Sequence, residues 1–229
     1  MSKLRSFVKL DFITIKPYFT KKNLLLFAAV IIYMSIVSGT IISGAMIGVM
    51  FGTIFMSYPF ALGEKGNLDE LYATLSLSRK TVVAGRYLFT LVLNLCVVII
   101  VFAFTAIGVT IGSLISESSG HGEITAEALW LLAAVVAIFM VMQSMMLPMY
   151  FKLGYTKGKI FNLVPFVALS AGSMAFSSIA RSNGGINRIV GFINAMNGEM
   201  LGVCAVLALG FVVCVSYLLS LSFYRKREF

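Results

Sequence analysis

Apolar residues in this chain fall into long unbroken runs separated by short polar stretches, and no run shows the period-two alternation of a barrel strand. The runs cover residues 24–38, 41–62, 87–115, 128–151, 160–180 and 200–224. Each lies near the ~20 residues that carry an α-helix across a hydrocarbon core, the first being somewhat short. At that depth no water satisfies the backbone, so unbroken runs of this length predict helices. The expected fold class is all-α: a polytopic membrane protein with six transmembrane helices. Only Gly39-Thr40 separates the first two runs, which predicts a tight helical hairpin.

The pattern changes most between Ser57 and Tyr87. Ser57-Tyr58-Pro59-Phe60 leads into a polar stretch from Gly63 to Asp69, followed by Glu70-Leu71-Tyr72-Ala73-Thr74-Leu75-Ser76-Leu77-Ser78-Arg79-Lys80. Leu68, Leu71, Tyr72 and Leu75 stand at i, i+3, i+4 and i+7, one face of a short helix, while Asp69, Glu70 and Arg79 fall off that face. This predicts an amphipathic helix at the membrane surface that offers polar groups to something in the water; a solvated loop fits the same residues. Residues 1–22 carry Lys3, Arg5, Lys9, Lys16, Lys21 and Lys22 against the single acid Asp11, interleaved with Leu4, Phe7, Val8, Phe12 and Ile13. That mixture predicts a basic interfacial helix ended near Pro17. A cleaved leader is its rival, but the basic region is long and hydrophobicity resumes straight after Gly39. Between the fifth and sixth runs, Ile186, Ile189, Val190, Ile193 and Met196 recur at helical spacing and predict an outer helical segment over residues 184–197, with a plain connecting loop as the alternative.

Composition agrees: the 229 residues are 59% hydrophobic and 12% charged, more apolar surface than a soluble domain hides. The net charge of +9 would suit nucleic acid if it formed a patch, but the basic residues bracket the apolar runs instead. Six lie in residues 1–22, four in 63–86, three in 152–159, and three are Arg225, Lys226 and Arg227. The opposite side holds Arg181 and Arg188, and the loops at 39–40 and 116–127 hold none. Sixteen against two predicts that both termini and the 63–86 segment face the cytoplasm.

No predicted span contains Asp, Glu, Lys, Arg or His, which argues against a proton relay, a voltage sensor or most ion-coupled carriers. Asn94, Gln143 and Asn162 read as helix–helix hydrogen-bond partners. The sole histidine, His121, lies in a polar loop with Glu117, Glu123 and Glu127, and no G-x-S-x-G occurs, so a serine triad has no support. Gly154-Tyr155-Thr156-Lys157-Gly158-Lys159-Ile160 misses a phosphate-binding loop by one residue between the glycines and by Ile at the magnesium position. Cys96, Cys204 and Cys214 lack metal-ligand spacing and read as small buried hydrophobes. Gly44, Gly48 and Gly52 make two overlapping G-x-x-x-G steps; Gly108 and Gly112 repeat the motif, as do Gly198 and Gly202. Such spacing lets helix backbones approach closely, within one subunit or between two. Pro59, Pro148 and Pro165 mark expected kinks.

Ser57-x-Pro59, Glu64-Lys65-Gly66, Leu71-Tyr72-x-Thr74-Leu75, Ser78-Arg79 and Gly85-Arg86-Tyr87 resemble the segment between spans two and three of bacterial ABC-2-type permeases. The layout matches along the whole chain, including the closing Phe223-Tyr224-Arg225-Lys226-Arg227-Glu228-Phe229; one departure is Ser76-Leu77, where many members carry Leu-Pro. The resemblance implies two parts, a basic interfacial helix at 1–22 and a six-helix transmembrane domain at 23–229 whose segment 63–86 couples to a separate ABC ATPase subunit. Glu64, Asp69, Glu70, Leu71, Tyr72, Leu75 and Arg79 would make that contact. The chain itself is then no enzyme and holds no catalytic residue, metal or cofactor; ATP and magnesium belong to the partner subunit. A second permease copy, identical or a close paralogue, completes the assembly in a bacterial cell membrane.

Within that family the chain looks closest to permeases of the phenol-soluble-modulin exporter type, which implies export of amphipathic or antimicrobial-type peptides. The spans themselves offer Met and Phe in quantity, thirteen and nineteen in the chain, with Met140, Met142, Met145 and Met146 clustered. Such adaptable apolar surface suits a substrate that already lies in the membrane. Export of small hydrophobic drugs or lipids fits the same physics, and a transporter working without ATP or a membrane scaffold or receptor subunit are readings from other classes. Topology is directly testable: in a cysteine-free background, single cysteines at Ser119 and Asn67 are expected to label from opposite sides of intact cells, and labelling of both from outside would overturn the charge-based orientation.

Overall fold

A computed structural model of the chain describes residues 2–66, 72, 77–115, 126–162, 167, 171 and 198–226. The described residues are helical, in six α-helices: α1 (Ser2–Ile15), α2 (Lys21–Ser38), α3 (Ile41–Lys65), α4 (Arg79–Ile115), α5 (Ala126–Gly158) and α6 (Gly198–Arg225). Among them, five helices, α2 to α6, are long and apolar enough to cross a membrane. The predicted span at 160–180 lies almost wholly outside the described residues, as do Pro165, His121 and the outer segment 184–197. The chain forms two compact units, residues 1–140 with 227–229, and residues 141–226.

In the first unit α1 ends where Pro17 enters a 3-10 turn, Lys16–Tyr18. Thr20 caps α2, its Oγ1 accepting from the Asn23 N–H at 3.3 Å. Two ring pairs fix this junction to α3: Tyr18 on Tyr58 at 4.7 Å and Phe19 stacked on Phe55 at 4.6 Å. The hairpin between α2 and α3 is as tight as the sequence predicts. Gly39 stands at φ 64°, a left-handed conformation that suits glycine, and its N–H returns to the Ser35 carbonyl.

The three helices α2, α3 and α4 pack on one another, and small residues let them do so. A Cβ added to Gly48 would overlap Val101; at Gly44 it would overlap Ser35 and Thr105; at Gly52 it would stand 3.2 Å from Val97. Across the interface, a Cβ on Gly108 would stand 2.9 Å from the Ile32 carbonyl, and Gly112 is buried as well. This glycine ridge of α3 is thus filled by α4 and α2 of the same chain. Hydroxyls on the packed faces bond back to their own helix, Ser35 to the Ile31 carbonyl and Thr105 to that of Val101, both at 2.9 Å, so they add no unpaired polar group. The pattern differs at the other glycine pair: a Cβ on Gly198 meets nothing within 4 Å.

Three expectations need correction. The third helix begins at Arg79, eight residues before the apolar run, because Ser78 caps it: its Oγ accepts from the Thr81 N–H at 3.1 Å. A polar sequence can be helical wherever a cap and a packing surface support it, so α4 encloses Arg86 although the apolar run does not. Second, residues 152–158, expected as loop, continue α5 beyond a break at Gly154, which stands at φ 75°. Third, Cys96, Cys204 and Cys214 are exposed on helix surfaces rather than buried. A helix that is apolar all round cannot tell lipid from core by composition, and Leu25, Ile99 and Phe211 are exposed in the same way.

In the second unit, residues 141–158 of α5 lie along α6: Phe151 meets Tyr224 edge-on at 5.4 Å, the Ser216 hydroxyl donates to the Ser144 carbonyl, and the Lys152 ammonium sits 5.1 Å from the Phe223 ring. Of the methionine cluster, Met142 and Met146 are buried and Met145 is exposed. Because Gly48 has no room for a side chain, Gly48→Leu is expected to lower stability by at least about 1–3 kcal/mol, the cost of overpacking a close interface. A thermal unfolding midpoint in detergent equal to that of the wild type would place the residue on an uncrowded face.

Candidate functional site

The first unit buries one ion pair, and the polar segment between α3 and α4 is tied to it. On α1, Phe7, Asp11 and Ile15 stand at i, i+4 and i+8, and this line faces inward while Arg5 and Lys9 stay exposed. Cap and register together place Arg86 two turns into α4, beneath that line. Arg86 Nη1 lies 3.0 Å from Asp11 Oδ1, and the two side chains are 5% and 2% exposed. The guanidinium also lies 4.9 Å from the Phe60 ring centre of α3 and 5.6 Å from that of Phe7. Its Nη2 is 3.5 Å from the Tyr72 hydroxyl, a long donor contact. Tyr72, 2% exposed, sets its ring edge-on to Phe7 at 5.1 Å. A glycine makes the room: a Cβ on Gly85 would strike the Phe7 ring, whereas one on Gly63 would stand at an ordinary contact distance, 3.6 Å, from Arg86 Nη2. Four pieces of chain therefore meet on one cation: α1, the end of α3, Tyr72 and the start of α4.

Burial sets the electrostatics. Desolvation raises the Asp11 carboxyl from its usual 3.8 to about 6, with the positive charge of Arg86 opposing that rise. Asp11 Oδ2 and Arg86 Nη1 have no hydrogen-bond partner among the described residues, so the pair is held by charge and by aromatic faces more than by aligned donors. No nucleophile or metal-ligand cluster accompanies it among the described residues. What the arrangement can do is mechanical: displacement of Tyr72 bears directly on Phe7 of α1 and Arg86 of α4, and through Arg86 on Phe60 of α3.

The residues expected at the partner surface are distributed around this junction. Glu64, at the end of α3, and Arg79, at the start of α4, are exposed, whereas Tyr72 is buried. Asp69, Glu70, Leu71 and Leu75 lie outside the described residues. Sequence reading did not single out Phe7, Asp11, Phe60 or Arg86 as a group. One signal was present, a lone acid among six bases on a segment with apolar residues at Phe7, Val8 and Phe12.

The family model for ABC-2 family transporter proteins matches residues 6–225. The chain belongs to this family. Neither a curated protein nor a solved structure matches it. As an ABC-2 permease it is a multi-pass membrane subunit of an ABC transporter, with transport rather than catalysis as its task and an ABC ATPase as the implied partner. The matched stretch runs from just before Phe7 to the end of α6, so it includes the whole Asp11–Arg86 junction of the permease.

The raised Asp11 carboxyl gives the permease a signed pH dependence. Folding binds this proton more tightly than the unfolded chain does, so stability is highest in acid and falls as pH rises from about 3.8 through about 6. The loss is roughly 3 kcal/mol in total. Asp11→Asn is expected to remove this pH dependence, and because it leaves the buried guanidinium without its counter-charge it is expected to lower stability at pH 7.5 by about 3–5 kcal/mol. Arg86→Met leaves a buried carboxylate alone and is expected to cost about 3–5 kcal/mol at pH 7.5 and less at pH 5, where Asp11 protonates. Thermal unfolding of the detergent-solubilised permease at the two pH values checks both variants; wild-type stability in Asp11→Asn at pH 7.5 would show that burial of the carboxylate outweighs the pairing.

Proposed function

We propose that this permease, driven by a separate ATPase subunit, exports amphipathic peptides, and that the segment 63–86 is the surface on which the ATPase docks. The observation that carries the coupling part is the position of Tyr72. Its burial against Phe7 and Arg86 ties a polar segment with exposed flanks, Glu64, Lys65, Arg79 and Lys80, to α1 and α4, and through Arg86 to Phe60 of α3. A docking surface needs such an anchor, because a loose loop would absorb the partner's motion instead of passing it on. In this reading the segment and both termini face the cytoplasm of a bacterial cell, where ATP is, and the charge bias of sixteen against two supports that orientation.

The substrate reading rests on two supports. The apolar runs contain no Asp, Glu, Lys, Arg or His to receive a hydrophilic solute, and within the ABC-2 family the chain resembles permeases of the phenol-soluble-modulin exporter type. A peptide with one apolar face already lies in the membrane and suits a weakly polar path. A second permease copy, identical or closely related, completes the transporter in this reading, meeting the first through faces other than the glycine ridge of α3, which α4 and α2 of the same chain fill.

The test is a reconstituted complex of permease and ATPase. ATP hydrolysis is expected to rise with a cationic amphipathic peptide and not with a scrambled, non-amphipathic version of equal charge. Glu70→Lys is expected to weaken ATPase binding by about tenfold or more and to remove the stimulation, while membrane insertion stays normal. Equal stimulation by both peptides would make charge the recognised feature, stimulation by small hydrophobic drugs or lipids alone would replace the substrate class, and full stimulation in the variant would move the docking surface elsewhere.

A further inference from the structure

Between α1 and the first third of α4 lies a groove of about 580 Å³, lined by Leu4, Arg5, Val8, Lys9, Phe12 and Leu88. Its floor is apolar and its rim carries two cations one helical turn apart. Arg5 and Lys9 are exposed and, among the described residues, neither forms an ion pair. One end is closed where Phe12 tilts against Phe89 at 4.8 Å. Outside the groove, Leu91 and Leu95 share the face of Leu88 on α4 at i+3 and i+7 and are exposed with it. The site is thus an apolar channel with positive charge at its head and an apolar stripe of a membrane-crossing helix at its tail.

We propose that this groove binds one anionic phospholipid, its phosphate between Arg5 and Lys9 and one acyl chain along Val8, Phe12, Leu88, Leu91 and Leu95. Charge and shape favour this occupant together: two exposed cations one turn apart attract an anionic headgroup, and the exposed stripe offers a surface for a chain that follows α4. The volume falls within the range of small-molecule sites rather than that of a peptide interface. A lipid held there pins the outer face of α1, whose inner face carries Phe7 and Asp11 against Arg86, so lipid composition acts on the same junction that holds Tyr72. The inference rests on the membrane context shown by the family and not on the identity of the transported substrate.

The test uses the purified full-length chain, washed free of lipid in detergent and offered phosphatidylglycerol or phosphatidylcholine, with retained lipid counted by native mass spectrometry. About one phosphatidylglycerol per chain is expected to persist where phosphatidylcholine does not. The double variant Arg5→Gln/Lys9→Gln is expected to lose about 25-fold in retention, since each basic residue near an anionic headgroup contributes roughly a fivefold factor. Lys21→Gln/Lys22→Gln, which changes two cations outside the groove, is expected to retain the lipid. Val8→Trp keeps both charges and fills the floor, and it too is expected to lose the lipid. Because Arg5 and Lys9 are exposed, their variants should unfold at the wild-type midpoint, which separates lost binding from lost folding. Equal retention of both lipids, an equal loss in the two double variants, or full retention in Val8→Trp would each reduce the effect to general surface attraction and overturn the proposal. One-for-one displacement of the lipid by an amphipathic peptide would do so as well, by assigning the groove to substrate.

Discussion

A guanidinium buried to 5% exposure has few ways to be stable, and the first unit of this permease is built around satisfying one. Arg86 cannot give up its charge or its volume. It therefore recruits a carboxylate from α1, ring faces from α1 and α3, and a phenol from the segment that joins α3 to α4. The partners come from three other parts of the chain, so with α4 itself the cation acts as a constraint on four backbones. The glycine at position 85 follows from it, because a side chain there would occupy the space of the Phe7 ring that covers Arg86. The pair is not a cheap source of stability, as the raised Asp11 carboxyl shows. Its value lies in specifying where α1 and Tyr72 must sit.

Away from that junction, close approach of backbones replaces charge as the organising device. The hydrophobic effect does not drive one apolar helix against another in lipid, so contact depends on shape. The ridge of Gly44, Gly48 and Gly52 supplies it, receiving Thr105, Val101 and Val97 in order along α4. The two devices act on the same pair of helices: Phe60 and Gly63 continue α3 from the ridge to the cation, and Arg86 precedes the valines on α4. A shift of α4 that relaxes one contact must disturb the other.

Much of this was legible in the sequence, and the reasons are physical. Apolar runs bounded by Gly39-Thr40 and ending at Ile115 gave α2, α3 and the far end of α4, because the bilayer enforces both length and helicity. The G-x-x-x-G spacing named the glycines that turn out to be crowded at Gly44, Gly48 and Gly108, but at Gly198, which shares the spacing with Gly202, no described residue stands close enough to be crowded. Hydropathy was silent on the start of α4, since Ser78 to Arg86 is polar and its helix depends on a cap and on packing. It was silent also on the cysteines, because lipid-facing and core-facing positions have the same composition. The Asp11–Arg86 pair spans most of the first unit in sequence and leaves no local period to detect. Only the oddity of a solitary acid in a basic segment hinted at a partner elsewhere.

The turn between α2 and α3 bears on how the chain enters the membrane at all. Its tip carries no ionisable group, so insertion of the hairpin moves no charge through hydrocarbon. The polar groups that do make the passage are already matched. Ser38 and Ser43 share a hydrogen bond, Ser43 also donates to the Thr40 carbonyl at 3.1 Å, and the Gly39 amide is held by Ser35. The two helices thus travel as a closed unit whose leading edge carries its own solvation, and the barrier to threading them is set by ordering the turn more than by dehydrating it.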